Sequence, residues 1–212
     1  MKRCLVVGAG GCAREVLSWA LHIRQNDWQM AGFLDADPNA LAGENFSWPV
    51  LGDPGTWMPA ADEIFISGLG DPETRLRVCG GLQSRGASFV TVVHPSVIQA
   101  LNVEIGEGCV IAPNVVISAN ARIERFTFIN IAASIGHDSH TGEGSTISCH
   151  CDVMGYVSIG RGCFLGSHSC VLPRKKVGDF AIVGAGSAVV RNVPARTTVM
   201  GVPAQNLMAA RA

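Results

Sequence analysis

The sequence predicts an α/β domain followed by an all-β solenoid with three flat faces. The solenoid is indicated by a six-residue period that keeps its phase from position 105 to position 194. This period fits neither the 3.6-residue repeat of a helix nor the two-residue repeat of a strand, and short fixed periods are typical of solenoids. The α/β domain is indicated by a strand, a glycine-rich turn and a helix near the N-terminus. We place the domains at residues 1–92 and 93–212.

The repeat pairs an inward aliphatic residue with a small residue four places later. Every sixth residue from 105 to 189 is Ile, Val or Leu, except Thr141, and the later position is small except at Lys175. Three faces per coil make a coil of eighteen residues, which predicts three stacked aliphatic columns. Gly or Asn at positions 108, 114, 120, 144, 162, 186 and 192 suits turns with positive φ.

The N-terminal segment predicts a small Rossmann-like βαβ domain. An apolar run at residues 4–7 precedes Gly8-Ala9-Gly10-Gly11, and helical spacing of apolar residues follows over 13–25. Such a turn can bind phosphate, because glycines let the backbone approach and a helix N-terminus favours an anion. A second predicted strand at 30–34 ends at Asp35, about twenty residues after the turn, where an acidic residue would meet a ribose or a base.

The rest of this domain completes about half of a Rossmann sheet. We predict an edge segment at 49–52, a third strand at 64–67, a helix capped by Asp71, and a last strand at 89–93. A sheet of this size predicts a mononucleotide or nucleotide sugar as ligand. The alternative is a glycine turn that packs within the domain and binds no ligand.

Composition excludes some classes of partner. The net charge of −1 does not indicate nucleic acid or an anionic membrane as a partner, and no apolar run reaches the length of a membrane span. The 16 % of charged residues is low and fits a large subunit interface. No signal peptide pattern is found, and the eight scattered cysteines are expected to be reduced thiols of a cytoplasmic protein.

Several segments resemble the hexapeptide-repeat nucleotide-amino-sugar N-acetyltransferases of the bacillosamine-pathway type, a layout shared with sialic-acid O-acetyltransferases. The matching segments are residues 6–16, 32–35, 68–75, 130–138, 155, 184–186 and 201–204. The resemblance implies a left-handed parallel β-helix in the second domain and a homotrimer with active sites between subunits. It also implies acetyl-CoA as cosubstrate and no metal.

The resemblance also implies roles for particular residues. The implied catalytic residues are His137, Asp138 and Asn130. Those implied to bind the nucleotide sugar are Gly8, Gly10, Gly11, Cys12, Asp35, Gly70 and Arg75. Those implied to bind acetyl-CoA are Thr146, Gly155, Ala185, Gly201 and Pro203.

The chemistry of acetyl transfer points to His137 independently. The residue lies two places after Ile135, at an exposed corner of the predicted prism. A group that titrates near neutrality can take the proton of an attacking amine. Asp138 could hold the imidazole tautomer, provided that the chain bends between the two residues. The backbone amide of Gly155, one coil further on, could bind the developing oxyanion.

We therefore predict an N-acetyltransferase that acts by direct attack on a nucleotide-linked 4-amino-4,6-dideoxy sugar. Sugar O-acetylation is the alternative within the same fold. A second alternative is a metal-dependent hydratase using His150 and His168, which are eighteen residues apart. A third is a catalytically silent scaffold or nucleotide-sensing protein. Cys149 and Cys151 flank His150, but we predict that they fill corners and do not bind metal.

Overall fold

The computed structural model describes residues 1–24 and 27–207. The N-terminal domain has a parallel sheet with strand order β3-β2-β1-β4 and two helices. Its elements are β1 (Lys2–Val7), α1 (Gly11–Ala20), β2 (Trp28–Leu34), β3 (Val50–Gly52), β4 (Glu63–Ser67) and α2 (Pro72–Ser84). The predicted cap of α2 is confirmed, since the Asp71 carboxylate accepts a hydrogen bond from the Thr74 N–H at 2.8 Å.

Helix α1 ends earlier than the apolar spacing predicted. It stops at Ala20, where the chain tightens: the His22 N–H bonds the Trp19 carbonyl and the Ile23 N–H bonds the Ala20 carbonyl. The last predicted helical position, Gln25, lies outside the described residues. Within those residues, neither helix is long and apolar enough to span a membrane.

The second domain is a parallel β-helix with three faces. The first face contains β5 (Val92–Val93), β8 (Val110–Ile111), β11 (Phe128–Ile129), β14 (Thr146–Ile147), β17 (Phe164–Leu165), β20 (Ile182–Val183), β22 (Thr198–Met200) and the antiparallel β23 (Gln205–Asn206). The second face contains β6 (Ile98–Gln99), β9 (Val116–Ile117), β12 (Ser134–Ile135), β15 (Asp152–Val153), β18 (Cys170–Val171) and β21 (Ala188–Val189). The third face contains β7 (Glu104–Ile105), β10 (Arg122–Ile123), β13 (His140–Thr141), β16 (Ser158–Ile159) and β19 (Lys176–Val177).

The predicted columns are confirmed by the strand register. Residues eighteen apart face each other on successive coils, as in the column Ile105, Ile123, Thr141, Ile159 and Val177. The positive-φ turns are more regular than predicted: every sixth residue from Asn102 to Gly186 has φ between 55° and 69°. Asn192 is a correction. It lies outside this series, and its Oδ1 accepts a hydrogen bond from the Lys176 N–H instead.

The junction between the domains also differs from the prediction. The strand predicted at 89–93 does not extend the N-terminal sheet, because only Phe89 bridges to Phe65. Val92–Val93 pairs instead with Val110–Ile111 and forms the first rung of the β-helix. The N-terminal domain packs on the first face, where Phe128 shares a core with Trp19.

Candidate active site

The best-formed group of polar side chains lies on the edge between the second and third faces. His137 and Asp138 follow β12 at this edge, which is opposite the first face and therefore opposite the docked N-terminal domain. The His137 Nδ1 and the Asp138 Oδ2 are 2.8 Å apart. The required bend is present, since Asp138 has a φ of 56° and its carboxylate turns back to the preceding imidazole.

Hydrogen bonds keep Asp138 ionised. The pKa of its carboxyl is lowered mainly by the hydrogen bond with His137 and then by that with Asn120, whose Nδ2 donates to Oδ1 at 3.0 Å. The carboxylate is therefore present at every pH at which an imidazole can act as a base. The pair remains accessible to a substrate, because 56 % of the His137 side chain is exposed.

Gly155 lies directly against the imidazole from the next coil. A Cβ added at this glycine would be 2.6 Å from the His137 Nε2. Any side chain there would displace the ring, so the close approach requires glycine at this position.

Two neighbours of the pair were missed in the sequence analysis. Asn120 lies one coil before Asp138, and Tyr156 one coil after it, with its ring 5.1 Å from the His137 ring in an edge-on contact. The signal for both was the eighteen-residue period, which places 120, 138 and 156 in one column.

Asn130 does not join this group within one protomer. It follows β11 at the edge between the first and second faces. Its Oδ1 accepts the Ile131 N–H at 2.7 Å. Any contact between Asn130 and the site of His137 would have to be made across a subunit boundary.

The residues predicted to hold the nucleotide meet at the carboxyl ends of the N-terminal strands, the ligand crevice of open α/β sheets. The Asp35 Oδ2 accepts the Ala9 N–H at 2.8 Å, so this carboxylate fixes the glycine turn. A Cβ added at Gly70 would lie 3.6 Å from the Cys12 Sγ. The structure thus brings together the residues Gly8, Gly10, Gly11, Cys12, Asp35 and Gly70.

The crevice also has the features of an anion site. Among the described residues, no side chain caps α1 at Gly10, so the first-turn N–H groups remain directed out of the helix. Burial raises the pKa of the Cys12 thiol to about 11, which keeps it neutral.

Arg75 and Thr146 require a correction. Arg75 is 1 % exposed, and its guanidinium donates to the carbonyls of five residues: Leu69, Gly70, Phe126, Gly144 and Ser145. It also donates to the Thr146 hydroxyl, which in turn donates to the Gly70 carbonyl at 2.9 Å. Both side chains are buried between the domains and leave no surface for the ligands predicted to touch them.

The other predicted acetyl-CoA residues lie in two places. Gly155 lies on the same edge of the β-helix as His137, whereas Ala185 lies on the edge between the first and second faces. The segment with Gly201 and Pro203 docks beside Ala185, because the Gly201 N–H donates to the Ser187 Oγ at 3.0 Å.

The two histidines of the predicted hydratase alternative lie side by side. His150 and His168 stack with ring centroids 4.8 Å apart and an interplanar angle of 10°. Over residues 1–24 and 27–207, no group of three or more His, Cys, Asp or Glu side chains is arranged to hold a metal ion.

Comparison with known proteins connects both domains to sugar acetyltransferases. The PglD N-terminal domain family matches residues 3–82, and the hexapeptide repeat of succinyl-transferase matches residues 96–119 and 156–191. The GDP-perosamine N-acetyltransferase of Escherichia coli O157:H7 is 31% identical over 158 residues, which cover 70% of each chain.

Solved structures extend the likeness over nearly the whole chain. PerB from Caulobacter crescentus, in complex with CoA and GDP-perosamine, has a TM-score of 0.88 and 29% identity over 97% of both chains. The acetyltransferase domain of PglB from Neisseria gonorrhoeae FA1090, in complex with acetyl coenzyme A, shares the fold with a TM-score of 0.88 and 24% identity. That alignment covers 97% of this chain and 99% of the other.

Proposed function

This chain belongs to the hexapeptide-repeat sugar N-acetyltransferases, and from that premise we propose that it acetylates the amino group of a nucleotide-linked 4-amino-4,6-dideoxy sugar. It is an acyltransferase with a left-handed β-helix, and acetyl-CoA is its cosubstrate. The observation that carries the proposal is the His137–Asp138 pair beside Gly155, together with the glycine-turn crevice of the N-terminal domain.

In the proposed mechanism His137 is the general base. The Asp138 carboxylate accepts the Nδ1–H, which leaves the lone pair of Nε2 free to take a proton. The substrate amine attacks the thioester carbonyl while Nε2 removes its proton. The tetrahedral intermediate then expels the CoA thiolate, which receives the proton from the imidazolium. The Gly155 amide is the proposed donor to the oxyanion.

The two proposed ligand sites lie on different parts of one protomer. The nucleotide crevice belongs to the domain on the first face, and His137 lies on the opposite edge of the prism. We therefore propose a homotrimer in which one subunit supplies the base and its neighbour supplies the nucleotide crevice. The second face suits such contact, because Ile98 and Val116 are 64 % and 41 % exposed on it.

A thiol-release assay tests this proposal. Acetyl-CoA is offered with a panel of UDP-, dTDP- and GDP-linked 4-amino-4,6-dideoxy sugars and with free sialic acid. We expect turnover on an amino-sugar nucleotide, and His137→Asn should lower kcat by about 10²–10⁴-fold, the usual worth of a general base. His140→Asn is the matched control, since His140 also pairs with a carboxylate at 2.8 Å, that of Glu124.

Other results would change the assignment. Turnover on sialic acid alone would favour O-acetylation. Near-normal turnover of His137→Asn on the preferred substrate would remove the general base from the mechanism.

A further inference from the structure

The neighbour of the His137–Asp138 pair on the next coil is the only tyrosine in the chain. Tyr156 takes a φ of 59°, so its side chain turns back toward the preceding coil. Its N–H donates to the His137 carbonyl at 2.9 Å. The two rings are perpendicular within 3°, at an interplanar angle of 87°. The tyrosine therefore forms one wall of the imidazole site.

The carboxylate of the pair is held from two coils. From the coil before it, the Asn120 Nδ2 donates to the Asp138 Oδ1 at 3.0 Å, and on its own coil the His137 Nδ1 lies 2.8 Å from Oδ2. From the coil after it, Tyr156 packs its ring edge-on against the imidazole, and its N–H donates to the His137 carbonyl. An imidazole packed against this ring has little freedom to rotate away from the Asp138 carboxylate.

A fourth coil holds the tyrosine ring. The Arg174 guanidinium carbon lies 4.6 Å from the Tyr156 ring centroid, within the range of a cation–π contact. The Arg174 N–H donates to the Gly155 carbonyl at 3.1 Å, so the same residue also fixes the glycine beneath the imidazole. The column Asn120, Asp138, Tyr156 and Arg174 continues over four coils.

We propose that Tyr156 is a positioning residue for acetyl transfer, with Arg174 as its support. Its ring holds the His137 imidazole in the arrangement in which Nδ1–H donates to the Asp138 carboxylate and Nε2 faces the substrate. This inference rests on the proposed function, because it takes His137 to be the base. Tyr156 itself exchanges no proton with the substrate.

The decisive measurement is the tautomer of His137. In protein with ¹⁵N-labelled histidine, the signals that His137→Asn removes identify this imidazole among the six histidines. We expect the proton on Nδ1 in the unchanged protein, and a mixture of both tautomers in Tyr156→Ala. This readout needs no sugar substrate, and a purely structural role of Tyr156 would leave it unchanged.

Kinetics give the second readout, with acetyl-CoA and the sugar nucleotide that gives most thiol release. Tyr156→Ala should lower kcat about 10-fold, whereas Tyr156→Phe, which keeps the ring that packs against the imidazole, should stay within about 2-fold of the unchanged protein. Both KM values should stay within about 2-fold, because the tyrosine is not proposed to bind either substrate. Phe180→Ala is the matched control. Like Tyr156, Phe180 has a positive φ, of 56°, and its ring centroid lies 4.8 Å from an arginine guanidinium, that of Arg196.

The outcomes are separable. A wild-type tautomer and wild-type kcat in Tyr156→Ala would overturn the inference, even if His137→Asn is inactive. A tautomer mixture in Tyr156→Ala would support the positioning role, even if His137→Asn remained active and the general-base proposal failed. An equal loss of kcat in Phe180→Ala would show that the kinetic effect is not specific to this edge.

Discussion

At the scale of single residues, Thr141 is the exception in an otherwise aliphatic interior. It occupies an inward position of the third face with 0 % exposure. Among the described residues, its Oγ1 is the buried side-chain oxygen or nitrogen without a hydrogen-bond partner. A buried hydroxyl without a partner costs stability, because water no longer solvates it.

Thr141→Val should therefore stabilise the protein by about 1 kcal/mol, since the shape is kept and the unpaired hydroxyl is removed. Thr127→Val is the control. Thr127 is equally buried, but its hydroxyl donates to the Glu124 carbonyl at 2.7 Å, so its loss should destabilise by a similar amount. Urea denaturation at one protein concentration measures both. A less stable Thr141→Val would show that the hydroxyl has a partner.

The sequence predicted the columns and corners at this scale because they depend on the identity of residues at a fixed spacing. It could also place His137 beside Asp138. It could not predict that Arg75 is buried, because an arginine next to a helix cap is usually solvated. Only the packing of two domains shows that this side chain is enclosed by backbone carbonyls.

At the scale of elements, the contact between α2 and the first face connects the nucleotide crevice to the β-helix. Burial lowers the pKa of Arg75 to about 10, which still leaves the guanidinium charged at neutral pH. In the part of the chain that the structure describes, no carboxylate forms a hydrogen bond with this buried charge, and carbonyl dipoles and one hydroxyl solvate it instead. The position of the Gly70 carbonyl therefore depends on Arg75 and Thr146.

Thr146→Val should loosen this junction without touching the His137 edge. We expect the KM for the sugar nucleotide to rise about 3–10-fold, because the variant loses hydrogen bonds that hold the Gly70 turn. The KM for acetyl-CoA should be unchanged. Thr197→Val is the control, since this hydroxyl bonds only the nearby Ala195 carbonyl. If the variant raised both KM values equally, Thr146 would be acting at both ligand sites.

At the scale of the whole molecule, the fold separates the parts of the proposed reaction. The sequence predicted a prism and an α/β domain, but not the face on which that domain docks. Docking on the first face is decided by contacts such as Trp19 with Phe128, between residues far apart in the chain. Because His137 lies on the opposite edge, the central claim is that a working site needs two subunits.

Subunit mixing tests this claim most directly. His137→Asn removes the base, and Gly11→Asp puts a carboxylate where the phosphates are proposed to bind. The fold should tolerate the aspartate, since an added Cβ meets only the tip of Arg14 at 3.9 Å. The two variants are co-expressed with different tags, and oligomers that carry both tags are purified. Doubly tagged unchanged protein is the control.

Each parent variant should be nearly inactive. In a cyclic trimer, every mixed oligomer contains one site that combines an intact base with an intact neighbouring crevice, so about one third of the control activity should return. Mixed oligomers as inactive as their parents, beside an active control, would show that each protomer carries its own complete site and would contradict the account.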